Sequence, residues 1–296
     1  MRYIVGYTAT PAGADAIALG VRLARSRGAV LDIVLVLHSE ERATLTPTDP
    51  GYERHLSELA AGWLSEAARM VPAEVTAYQH LVYAESFADG LLETAERLDA
   101  AMIIVGAARG GLLGRFTIGS VASSLLHFAH VPVALAPEGA RNAKPDAGIS
   151  RVTCAVGTRA GAEALLAAGI QVAESSGVPL RLVSLVGVDL PGGHDDPVVL
   201  AKGAEHAEAA AARARAALNE DAEVTTVVAS GDSIEDAVTQ LDWDPDEVVL
   251  VGSSRLAQPR RLFLGSTAAK MLHELPVPMI VVPRDAAGTH AGSDQR

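Results

Sequence analysis

Two Gly-Ser pairs occupy positions where a phosphate could be held. Gly119-Ser120 and Gly265-Ser266 each follow a glycine, Gly106 and Gly252 respectively, that closes an apolar run, and the interval is the same in both places. Glycine lets backbone N–H groups come close to an anion. A helix opening at the serine turns its positive dipole end to the same point, and the hydroxyl adds a donor. Anion or phosphate binding is the chemistry this spacing suits.

The first stretch, VGAARGGLLGRFTIGS (105–120), also imitates the P-loop pattern GxxxxGK[ST], and the imitation fails twice. No lysine precedes Ser120, and the second copy carries Arg260 where the first has Gly114. The dinucleotide fingerprint GxGxxG is missing after the first apolar run of either half. Arg255, Arg260 and Arg261 make a local basic spot, which reads as a solvated loop.

Catalytic chemistry has little to stand on. HExxH, CxxC and GxSxG are absent, and no His, Asp, Glu or Cys cluster recurs at triad or ligand spacing. His127 and His273 match across the two copies, but both fall late in a predicted helix, a common place for imidazole. His127 and His130 could share a helix face toward a metal, yet the second copy has Pro276 in place of His130. The reading is a non-enzyme with no required metal. Cys154, the one cysteine, lies in the apolar run VTCAV and reads as a small packed hydrophobe rather than a nucleophile. With no disulfide to form, a reducing compartment is expected.

Whatever these residues do, a duplicated frame must position them. Residues 103–137 align without a gap on 249–283, and GADA from Gly13 matches GAEA from Gly161, Gly28 matches Gly177, and Ser86 matches Ser233. At 296 residues the chain suits two domains of about 150 each. The expected division is a first domain at 1–138, a Pro/Gly/Asn/Lys-bearing linker at 139–149, a second domain at 150–284 and a flexible tail at 285–296.

Within each half, strands alternate with helices, the pattern of a parallel sheet with helical crossovers. In the first half the strands are predicted at 2–7, 30–37, 74–81, 101–106 and 131–136, and the helices at 12–27, 50–71, 86–98 and 118–129. Runs such as AMIIVG and EVVLVG suit strands buried on both faces. Ser86 and Ser233 each stand three residues before an acid, nearly a capping box. Pro132 and Pro278 stand at strand entrances. The alanine-rich stretch 198–220 reads as an amphipathic surface helix without coiled-coil heptads.

The net charge of −12 argues against nucleic acid or an anionic membrane as partner, since both require a basic face. MRYIVGYTAT opens directly as a strand and lacks a signal-peptide core, and no run approaches the 18 to 20 or so apolar residues that span a bilayer. The cytoplasm is the expected location.

Taken together, Gly106, Gly119-Ser120, Gly252, Gly265-Ser266 and the closing HVPVALAP and PVPMIVVP resemble the universal stress protein family, in its tandem form, over nearly the whole chain. That family's motif is G-x-x-G, nine residues, then G-[ST]. The resemblance implies an α/β fold in each half: a five-stranded open parallel sheet in the order 3-2-1-4-5 flanked by helices. This is a Rossmann-like arrangement of the adenine nucleotide hydrolase type. It also implies halves that pair as a pseudo-dimer across the last strand, with a homodimer of chains left open. For function it implies stress-response regulation or protection rather than turnover, with ATP or another adenine nucleotide held across the carboxyl ends of strands 1 and 4.

Two departures bear on that site. The second motif glycine is Arg109 in one half and Arg255 in the other, and the acid that follows strand 1 in nucleotide-binding members is replaced by Thr8 in the first half and by Gly157 and Thr158 in the second. Either arginine grips phosphate by its fork or the pocket has drifted from nucleotide. The candidate binding residues are therefore Gly106, Arg109, Gly119, Ser120, Gly252, Arg255, Gly265 and Ser266. The alternative is a nucleotide-free interaction protein with vestigial pockets.

Overall fold

The computed structural model of the chain describes residues 1–39, 50–107, 119–144, 148–157, 161–185, 196–253 and 264–283. Two units result: Met1–Leu125 with Val133–Gly148, and Leu126–Pro132 with the chain from Ile149 onward.

In the first half, β1 (Arg2–Gly6), α1 (Pro11–Arg27), β2 (Val30–His38), α2 (Pro50–Arg69), β3 (Ala77–Ala84), α3 (Phe87–Arg97), β4 (Met102–Gly106), α4 (Ser120–Phe128) and β5 (Val133–Ala136) follow in order. The strands lie 3-2-1-4-5, all parallel, with Ile4 opposite both Asp32 and Ile103. The second half repeats this as β6 (Val152–Val156), α5 (Ala162–Ser176), β7 (Leu180–Leu185), α6 (Pro197–Ala217), β8 (Val224–Ala229), α7 (Ile234–Thr239), β9 (Val248–Gly252), α8 (Ser266–Glu274) and β10 (Met279–Val282). Its strand order, read from β8 as 8-7-6-9-10, is the same parallel sequence.

Strands β1, β4, β6 and β9 are buried on both faces, as continuous apolar runs require. Ile4, Ile33, Ile103 and Ile104 in one half, and Val152, Leu182, Val248 and Val249 in the other, are inaccessible to solvent. Each such side chain contributes roughly 1.5–3 kcal/mol.

Helix ends obey local chemistry. The Ser86 and Ser233 hydroxyls accept from the Asp89 and Asp236 amides at 3.1 and 3.0 Å. Gly28 and Gly177 end α1 and α5 in the left-handed conformation at φ 60° and 64°, each returning its amide to the last turn. α6 buries Gly203, Ala207, Ala210, Ala211 and Ala214, a stripe of small residues on one face. Among the described residues no helix is long and apolar enough to cross a membrane.

One element departs from expectation. β3 begins at Ala77 rather than near residue 74, because Val75 donates its amide to the Pro72 carbonyl at 3.0 Å and closes a turn. The segment after β5 contains a 3-10 turn, Ala140–Asn142, opened by Gly139 at φ 88°.

Near the N-terminal ends of the strands each half holds a buried ion cluster. Asp32, with no solvent exposure, binds the Arg2 guanidinium, whose Nε lies 2.9 Å away, and His80 Nε2 at 2.7 Å. Arg2 also stacks on Tyr78. In the second half Arg181, 4% exposed, donates to Glu247 at 2.8 Å, Thr153 at 3.0 Å and the Asp242 carbonyl at 2.7 Å, and covers the Trp243 ring. Arg151 reaches the other oxygen of Glu247 at 2.5 Å. Burial pushes the Glu247 carboxyl up, against the pull of the two arginines, and pushes the Arg181 guanidinium down.

Candidate functional site at the carboxyl ends of the strands

Parallel topology sends β1, β4 and the start of α4 to one edge of the first sheet, and β6, β9 and the start of α8 to the matching edge of the second. Open α/β sheets take their ligands at that edge. Gly106 ends β4 opposite Ala136, and Gly252 ends β9 opposite Val282. One residue on, Ala107 and Ser253 donate amides to those same partners, Ala136 and Val282, both at 2.9 Å. The two strand ends are thus built alike.

Gly106 is glycine for a reason of packing. A Cβ there would stand 2.0 Å from the Ala12 carbonyl oxygen and 2.6 Å from its carbon, so the first turn of α1 rests directly on the strand end. Gly13 is bound by the same constraint, its Cβ position lying 2.0 Å from the Thr8 carbonyl oxygen. The nearest described neighbour of a Cβ on Gly252 is Leu165, at 3.8 Å.

The exit of β1 offers hydroxyls. Thr8 and Thr10 share a hydrogen bond between their side chains at 2.9 Å, and Thr10 also caps α1 by accepting from the Gly13 amide at 3.4 Å. Tyr7, just before them, is buried, and that burial, helped by the charge of Glu66, raises its phenol above the usual range. In the second half Gly157 is exposed, and Thr158 lies outside the described residues.

Both Gly-Ser pairs open helices. Ser120 and Ser266 are the first residues of α4 and α8 and are exposed. The Gly119 and Gly265 carbonyls accept the first intrahelical bonds, from Ser123 and Ala269, at 2.9 Å each. Gly265, the N-cap of α8, is extended, at φ −70° and ψ 162°, and as glycine supplies no side-chain cap. By contrast Thr10, Asp196, Ser86 and Ser233 cap α1, α6, α3 and α7 with their own oxygens. An α-helix start leaves four amides without intrahelical partners, and the N-cap glycine of α8 offers them no side-chain acceptor.

Of the sequence candidates, Gly106 closes β4 and Gly119-Ser120 lead into α4 in the first half, and Gly252 closes β9 and Gly265-Ser266 lead into α8 in the second. Arg109 and Arg255 lie outside the described residues. His127 and His273 sit in the last turns of α4 and α8, away from the helix starts. Among the described residues no group of three or more His, Cys, Asp or Glu is placed to hold a metal. Cys154 is fully buried with its thiol pushed up to about 12, and a Cβ on Gly169 would come within 2.2 Å of its sulfur. Sequence reasoning missed the backbone contacts of Ala12 and Gly13, for which two glycines in separate elements were the available signal.

A sequence profile of the Universal stress protein family matches residues 1–137 and again 148–283. Universal stress proteins of Mycobacterium bovis and Mycobacterium tuberculosis are each 30% identical over 295 residues, covering 96% of this chain and all of theirs. Among solved structures, a universal stress protein from Archaeoglobus fulgidus superposes with a TM-score of 0.68 at 17% identity, covering 96% of this chain and 98% of its own. A putative universal stress protein from Pseudomonas aeruginosa does so with a TM-score of 0.56 at 16% identity, covering 95% and 92%.

Proposed function

Because the chain belongs to the universal stress protein family in its tandem form, we propose that it is a regulatory or protective binding module of the stress response. It works in the cytoplasm without catalytic turnover and holds ATP or a related adenine nucleotide at its Gly-Ser helix starts. The observation that carries this reading is the start of α8. An exposed serine follows an extended glycine that supplies no side-chain cap, and the strand before it, β9, runs parallel to β10. First-turn amides with the helix dipole behind them accept a phosphate without further machinery. Arg109 and Arg255 are the proposed additional phosphate ligands, gripping through the guanidinium fork.

Calorimetric titration of nucleotide-free protein with ATP, ADP, AMP and cyclic nucleotides tests the reading. Saturable heat with at least one is expected, and silence across the set removes the nucleotide.

A second reading has its own observation. The Thr8 and Thr10 hydroxyls are bonded to each other at the exit of β1, where a carboxylate would anchor ribose. On that reading the pockets are vestigial and function lies in partner surfaces. If Arg109→Gly and Arg255→Gly create binding absent from the parent, the second reading holds, and if they abolish existing binding, the first does.

A further inference from the structure

Helix α1 hides two charged residues on one side. Asp15 is 2% exposed and Arg22 5%, and their spacing sets them about two turns apart along the same face. In the second half the residue matching Asp15 is Glu163, whose side chain is 91% exposed and lies 3.7 Å from Arg213. The domain repeat alone therefore does not require burial at this position.

The partners come from the segment that follows β5. The Gly139 amide donates to Asp15 Oδ2 at 3.2 Å, the Arg141 amide to Oδ1 at 2.8 Å, and Arg141 Nη1 to Oδ2 at 2.7 Å. Both carboxylate oxygens are engaged, which is what allows an ionised group to leave water. Further along, Arg22 Nη2 donates to the Gly148 carbonyl at 3.3 Å. Gly139 reaches its place only at φ 88°, a conformation that favours glycine.

We propose that residues 139–144 are a strap latched to the first unit, with Asp15 as the latch, and that Arg22 holds the chain again at Gly148. The chain then stays with the first unit beyond Pro137. Opening the latch hands the strap to the connection between the halves, so the length of that connection is set by one buried carboxylate. The device is independent of any ligand at the Gly-Ser sites.

Amide hydrogen exchange on the full-length protein tests it. The Gly139 and Arg141 amides are expected to exchange slowly in the parent, and Asp15→Ala to speed both by at least about tenfold while β1 and β4 keep their protection. Trypsin cleavage after Arg141 should accelerate in the same variant. Gly139→Ala strains the strap without touching α1 and is expected to open it equally, which decides the matter if Asp15→Ala fails to fold. Exchange of both amides at unfolded-chain rates in the parent, or unchanged protection in the variants, overturns the proposal.

Discussion

Asp32 and Arg181 occupy the same place in the two halves, the second strand opposite Ile4 in one and Thr153 in the other, and carry opposite charges inside the protein. Duplication preserved the position and reversed its sign. Arg2 and Arg151 also match across the halves. The first finds a carboxylate facing it, whereas the second would face another arginine. Glu247, fully buried just before β9, separates the two cations by binding both.

That arrangement predicts unequal costs for neutralising each acid. Glu247→Gln removes the carboxylate paired with the buried Arg181, leaving only the weaker pull of Asp242, and should cost about 3–5 kcal/mol. Asp32→Asn leaves Arg2, whose side chain is 33% exposed and can turn to water, and should cost about 1–3 kcal/mol. The two tryptophans separate the measurements: Trp63 lies on α2 and Trp243 against Arg181. Denaturation followed in Trp63→Phe and Trp243→Phe backgrounds reads each unit alone. Equal losses in the two would contradict the account.

Gly106→Ala should disturb the first unit alone. The new methyl meets the Ala12 backbone rather than a yielding side chain, so α1 must move, at a cost of about 1–3 kcal/mol. The midpoint of the Trp63 transition should fall while that of Trp243 stays. A neutral result would mean that the first turn of α1 yields freely.

Cys154 should be silent to thiol reagents in the folded protein. Burial raises its thiol from 9.0 to about 12, so the thiolate is scarce across the neutral range, and the sulfur is shielded from solvent. Because the folded value is raised, its contribution to stability is complete below pH 9 and is lost progressively as pH climbs from there through about 12. Labelling with a maleimide should therefore track unfolding in denaturant. Rapid labelling without denaturant would show a local opening of β6 against α5.

Strand and helix order, the sheet class and the duplicated Gly-Ser starts were legible because each is written in local periodicity or in a repeat. The residues that lock the frame were only half legible. Asp32 within VLDIVLVL and Asp15 within α1 are visible as charges in apolar stretches, which signals a hidden partner. The partners themselves, Arg2 and His80 for one and Gly139 and Arg141 for the other, come from other elements and depend on register and chain path. The three-residue shift of β3 had the same origin, a turn closed by Pro72 that apolar pattern does not record.

The start of α8 yields the sharpest test of binding. Gly265 is extended at φ −70°, so any residue fits its backbone. Gly265→Asp would place a carboxylate at the N-cap, where it accepts from the first-turn amides and complements the dipole. The helix should gain about 0.3–1 kcal/mol. The same carboxylate takes the donors a phosphate would use and repels it. Stability of the second unit should therefore rise while nucleotide affinity at that site is lost, a combination that general damage to the fold does not produce. Ser266→Ala, which removes one neutral donor, should weaken binding only a few-fold, as suits a hydrogen bond worth about 1 kcal/mol. Calorimetry and the Trp243 transition, measured on the same samples, read both quantities. Retained affinity in Gly265→Asp would place any nucleotide away from this helix.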